Sequence, residues 1–99
     1  MRIVLSLRAE TEIEDKFEYG AARFGDAVAE RTFSRVRRMI FRNIPAQPEA
    51  AIYDEDRDLF ERVIPRTPFV VFYRYDARAK EITVVSLPGQ SQDRDSLEA

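Results

Sequence analysis

Residues 66–76 read RTPFVVFYRYD. From Phe69 to Tyr73 every side chain is aliphatic or aromatic, which suits a strand covered on both faces better than one with a wet side. A strand of that kind lies inside a sheet and needs a neighbour on each edge. One neighbour is KEITVVSL, residues 80–87, reached through the tight connection DARA, residues 76–79. The other is DLFERVIP, residues 58–65, where Pro65 ends the run because proline cannot donate to a ladder.

Upstream of this three-strand unit the periodicity changes. RIVLSL, residues 2–7, is a short β-branched run that reads as a strand, and Ser6 is placed to cap a following helix. Ala9, Ile13 and Phe17 recur every fourth residue and give a narrow helical stripe, which Gly20 or Gly25 can end. Asp26 is the expected cap of a second helix, with Val28, Thr32, Val36, Ile40 and Ile44 in register and Phe33 and Met39 alongside. Pro45 should stop it, and PAQPEAA, residues 45–51, reads as a loop.

The order defines an α+β fold: an N-terminal strand, a helical hairpin, then a three-stranded antiparallel meander, forming one small sheet with helices packed on one face. Residues 1–88 are expected to form the domain, and the polar stretch 89–99 a loosely ordered tail.

Composition restricts the chemistry. The chain has 99 residues, 44% apolar and 34% charged, enough for one modest core. No apolar run reaches the roughly 20 residues of a membrane span. The opening MRIVLSLRAE is broken by Ser6 and Arg8 and reads as a strand rather than a secretory signal, so a cytoplasmic location is expected. With no cysteine there is neither a disulfide nor a thiolate zinc site. With no histidine the commonest acid–base group and metal ligand is missing, and catalysis would rest on carboxylates, arginine, lysine, tyrosine or hydroxyls. The acidic run YDEDRD, residues 53–58, lacks the glycine and closing glutamate of a calcium loop, and PGQSQ, residues 88–92, is a turn and not a phosphate loop. No metal or cofactor is expected.

The element order, with PFVVFYRYD followed by ITVVSL, resembles the RelE/ParE superfamily of bacterial type II toxins. The resemblance spans nearly the whole chain, and its most specific part is Pro68–Tyr75, which follows an arginine-bearing strand at Arg62. It implies a toxin neutralised by a cognate antitoxin that wraps around it. RelE-like members cut mRNA on the ribosome with a basic cluster on the sheet and a residue near the C-terminus, whereas ParE-like members poison DNA gyrase. Many relatives carry a pattern like H-x-x-R after the last strand, where this chain has Pro88, Gly89, Gln90 and Ser91. That favours the ParE-like branch: a gyrase-binding, plasmid-stabilising toxin with no catalytic residues, touching nucleic acid only through the toxin–antitoxin complex. The alternatives are a RelE-type mRNA endonuclease, with Tyr73 or Tyr75 as proton donor, and a degenerate protein that only binds its antitoxin.

The residues singled out for target or antitoxin contact are Arg62, Arg66, Arg74 and Arg94. Arg74 shares a face with Val70 and Phe72 and also reads as the margin of a buried patch, while Arg62 stands evenly between a solvated strand position and a functional one. Arg31, Arg35, Arg38 and Arg42 are spaced four, three and four and line one side of the second helix, with Arg37 beside them. This ridge could face an antitoxin or phosphate, or pair across the hairpin with Glu10, Glu12, Glu14, Asp15 and Glu18. Phe41, Phe60 and Tyr53 are candidates for an apolar docking patch.

Overall fold

A computed structural model describes residues 1–90 of the chain. Strand β1 (Arg2–Leu5) leads into α1 (Leu7–Phe24) and α2 (Asp26–Arg38). The second helix continues through a five-residue π turn, Met39–Asn43, into a last helical turn, Ile44–Ala46. Strands β2 (Ile52–Asp54), β3 (Leu59–Val63), β4 (Val70–Asp76) and β5 (Glu81–Ser86) follow. They form one five-stranded sheet in the order β1-β5-β4-β3-β2, parallel only where β1 meets β5. The apolar β4 is therefore central, and Val70 to Tyr73 are buried without exception.

Alternation along β4 separates two clusters. Val71 and Tyr73 face the helices and join Ala9, Phe33, Val36, Ile40 and Ile44 in the main core. Val70 and Phe72 face the other way and pack with Leu59 and Val85. A bulge in the β4–β5 ladder, where Phe72 pairs with Ser86 but Tyr73 with Val84, leaves Val85 unmatched.

Local chemistry accounts for most boundaries. The Ser6 hydroxyl accepts from the Ala9 N–H at 3.0 Å and donates to the Val85 carbonyl at 2.8 Å, so one side chain caps α1 and fastens it to β5. Between β4 and β5 the Asp76 carboxylate accepts the N–H groups of Arg78 and Ala79, each at 3.0 Å.

The structure departs from the sequence reading at four points. Gly25, not Asp26, is the residue between the helices: at φ 93°, ψ 158° it holds a conformation open in practice only to glycine, and Asp26 opens α2 as a first-turn acid. Pro45 does not end the second helix. Ile44 donates to the Met39 carbonyl five residues back, and this widened turn accommodates a proline that has no N–H for the usual bond to residue 41. Val28 is 37% exposed, so the buried stripe of α2 begins at Ala29 and Phe33. Finally, the meander has four strands: the acidic run forms the turn of a β2–β3 hairpin. Asp54 accepts the N–H groups of Asp56 and Arg57 there, and Asp58 is left-handed at φ 53°.

Candidate functional site

The helical hairpin does not seal the sheet at its Gly25 end. Tyr19, Gly20 and Phe24 from α1, Val28, Ala29 and Thr32 from α2, and Pro68, Phe69 and Gly89 from the chain around β4 and β5 enclose a groove of about 430 Å³. Phe33 and Phe69, 5.5 Å apart, also line it, and Phe17 meets Phe33 edge-on at 5.6 Å. On its rim Tyr19 is 64% exposed and Phe24 59%. Apolar side chains this exposed beside a groove make it the candidate docking surface of the described residues.

One cation enters the groove. Lys16 Nζ donates to the Leu87 carbonyl and lies 5.6 Å from the centre of the Phe69 ring. Burial lowers its pKa, against the partial support of the Glu12 carboxylate. Glu12, one helical turn earlier, accepts the Leu87 N–H at 2.9 Å. The two side chains of α1 thus hold both polar groups of Leu87 and fix the chain as it leaves β5. Beyond it, Gly89 bridges to Phe69, and Gln90 donates from its backbone to Pro68 and from its side chain to Thr67.

The arginines singled out from the sequence do not converge. Arg62 lies opposite Val71, on the helix side of the sheet, and its guanidinium donates to the carbonyls of Asn43 and Gln47 at 3.4 and 3.2 Å. A cation there adds a second donor to carbonyls that already accept the Gln47 and Ala50 N–H groups, at the end of a long helix where the dipole is negative. Arg66 sits in the β3–β4 turn at φ 61°, and its carbonyl accepts from Arg35 at 3.2 Å. Arg74 is exposed on the opposite face with Phe72, beside a depression of about 260 Å³ that Arg8, Arg57 and the buried Ser86 also line. Arg94 lies outside the described residues, as do all of 91–99. Of the proposed proton donors, Tyr73 is fully buried and gives its hydroxyl to the Pro48 carbonyl at 2.7 Å. Tyr75 is half-buried against the core.

On the helix, Arg35 is tied to Arg66, while Arg31, Arg38 and Arg42 are exposed. Among the described residues the ion pairs are Arg2–Glu81, Arg8–Glu12 and Arg57–Asp54, so the expected pairing between the ridge and the acids of α1 does not form. Of the aromatic candidates, Phe41 is 50% exposed. Phe60 stacks on Tyr73 at 5.4 Å, and Tyr53 packs on Phe60 while its hydroxyl donates to Asp58. That bond to a carboxylate pushes the Tyr53 pKa up.

The groove was missed in the sequence because its walls come from three distant segments, yet part of its signal was visible. Tyr19 falls off the core stripe of α1, and an apolar residue in that position is either scattered surface or one side of a binding site, whereas Phe24, seven residues after Phe17, and Val28 continue the expected stripes and read as core.

A helical hairpin laid on one face of a small, mostly antiparallel sheet, with the apolar strand at its centre, is the α+β arrangement that the resemblance to the RelE/ParE superfamily implies. The chain belongs to the family of ParE toxins of type II toxin–antitoxin systems, parDE, which it matches over residues 3–94. Its fold is similar to that of a structure of the chromosomal ParDE toxin–antitoxin system from P. aeruginosa, at TM-score 0.69 and 16% identity, covering 90% of this chain and 95% of that one. It is also similar to a chain of the RelBE2 toxin–antitoxin complex from Mycobacterium tuberculosis, at TM-score 0.61 and 11% identity, covering 90% and 96%. Comparison with curated protein sequences gives no match. Among the described residues no helix is long and apolar enough to cross a membrane.

Proposed function

We propose that this chain is the toxin of a plasmid-stabilising or chromosomal type II pair, that it inhibits DNA gyrase in the cytoplasm by binding, and that a cognate antitoxin holds it inactive by filling the Gly25-end groove. The exposed apolar rim of Tyr19, Phe24 and Val28 carries the antitoxin half of this reading. An amphipathic helix or strand laid into such a groove would bury that rim. The ParE family match supports the toxin assignment.

The gyrase half is supported by the dispersal of the candidate nuclease groups. Cleavage of RNA by its own 2′-hydroxyl needs an acid, a base and cations around one phosphate. Here Arg62 is committed to the helix end, Tyr73 is sealed in the core, and Arg74 is on the other face. Purified chain titrated into gyrase with ATP and supercoiled plasmid, then quenched with detergent and protease, should accumulate linear DNA. Plasmid supercoiled at an unchanged rate, with no linear product, would overturn the gyrase assignment.

A further inference from the structure

The ridge at the end of α2 has no role in the groove or the core. Between Glu30 and Glu49 the chain carries five arginines (31, 35, 37, 38 and 42) and no acidic residue, within a molecule of net charge -2. Arg37, Arg38 and Arg42 are all exposed, and none forms an ion pair with a described residue. They surround Phe41, half-exposed, in a shallow depression of about 380 Å³. The spacing explains the arrangement: Arg37 and Phe41 are four apart, as are Arg38 and Arg42, so two adjacent rows place one ring among three guanidinium groups. Helix-dipole compensation accounts for basic residues near a helix end, but not for a large aromatic side chain left in water at their centre.

We propose that Arg37, Arg38, Phe41 and Arg42 form a second docking surface, for an acidic protein segment in which carboxylates flank one large apolar side chain. Guanidinium groups pair with carboxylates in bidentate fashion, and Phe41 supplies the apolar contact. Nucleic acid is the other polyanion that such residues suit. The charge distribution disfavours it, since Glu10, Glu14, Asp15 and Glu18 are exposed along the adjoining helix and Asp54, Glu55, Asp56 and Asp58 crowd the β2–β3 hairpin. A short acidic segment can settle on the ridge alone, whereas a long phosphate chain would run past these carboxylates.

Fluorescence anisotropy with the full chain tests this, using a labelled peptide of alternating glutamate and leucine blocks, its glutamine counterpart and a labelled oligothymidylate. The glutamate peptide should bind, more weakly as salt is added, and the glutamine peptide should not. The combined Arg37→Gln, Arg38→Gln, Arg42→Gln chain should bind about tenfold more weakly, the combined effect of three exposed charge pairs. Phe41→Ala should weaken binding as well, while Phe24→Asp in the groove should leave it unchanged, which separates this surface from the antitoxin reading. No binding of the glutamate peptide to the unaltered chain would overturn the proposal. So would equal binding by the glutamine peptide, or preference for oligothymidylate.

Discussion

Replacing Tyr73 with phenylalanine removes one oxygen from the centre of the molecule. The ring is fully buried, stacks on Phe60, and anchors the chain after the last helical turn through its bond to the Pro48 carbonyl. A net intramolecular hydrogen bond contributes about 0.5–1.5 kcal/mol, and leaving the acceptor unsatisfied adds to the loss only where water cannot reach it. Pro48 is half-exposed, so its carbonyl can recruit water and the cost belongs near 1 kcal/mol. For a domain of this size that lowers Tm by about 4–8 °C, measured by circular dichroism at neutral pH. The pH dependence gives a second reading of the same group. Burial raises the Tyr73 pKa above its ordinary 10.0, with the Arg62 guanidinium pulling the other way. The folded state thus keeps its proton where the unfolded chain has lost it. This contribution is fully present below pH 10.0 and is lost as pH rises through the folded value. Tyr73→Phe should flatten that alkaline loss, leaving the part due to Tyr53, whose pKa is also raised. An unchanged Tm together with an unchanged alkaline limb would refute the anchoring role. If Tyr73 were instead a proton donor in RNA cleavage, the variant would lose toxicity outright at unchanged abundance, whereas an anchoring role predicts that toxicity follows only the amount of folded protein.

Three further perturbations probe the groove and its supports. Phe24→Asp changes a side chain 59% exposed, so Tm should move by no more than a degree or two, while affinity for the antitoxin, measured by calorimetry, should fall at least about tenfold. Gly25→Ala places a Cβ at φ 93°, ψ 158° and should cost about 1–3 kcal/mol in denaturant unfolding, although nothing lies within 4 Å of the new methyl. Glu12→Ala removes the acceptor for the Leu87 N–H and should cost about 1.5–3 kcal/mol, the range for a bond to a charged group, with faster hydrogen exchange at Leu87 as the local sign.

Much of the fold was legible because its central element has an extreme composition. A strand apolar on both faces has one stable place, and PFVVFYRY occupies it, with a sheet neighbour on each edge and helices over Val71 and Tyr73. Ser6 was legible for a similar reason, since a hydroxyl before a helical stripe has a defined partner two or three residues on. The misreadings arose where a local rule met a competing one. Ile52–Asp54 is an edge strand of three residues with no buried face, so it carries no alternation to detect. Pro45 ends a helix by rule, yet burial of Met39, Ile40 and Ile44 holds the chain helical past it, and a π turn absorbs the missing bond.

The arginines show why a site is harder to read than a fold. In sequence Arg62, Arg66 and Arg74 share one stretch of chain, but strand alternation and a turn send them to different places. Arg62 opposes Val71 on the helix side, Arg74 accompanies Phe72 on the other, and Arg66 is held in the turn by its backbone. The first is then engaged by helix-end carbonyls that only the long α2–π-turn helix could bring within reach, 15 and 19 residues away in sequence. Proximity along the chain therefore overstated their cooperation, and it understated that of Tyr19, Phe24, Val28 and Phe69, which the hairpin and the β3–β4 turn bring around one groove. Of the arginines that charge singles out, Arg62 and Arg35 tie elements of the fold together and Arg31, Arg38, Arg42 and Arg74 are exposed, whereas the rim of the groove is apolar. Covering an apolar rim requires no proton transfer, so the proposed docking role of the groove needs no histidine.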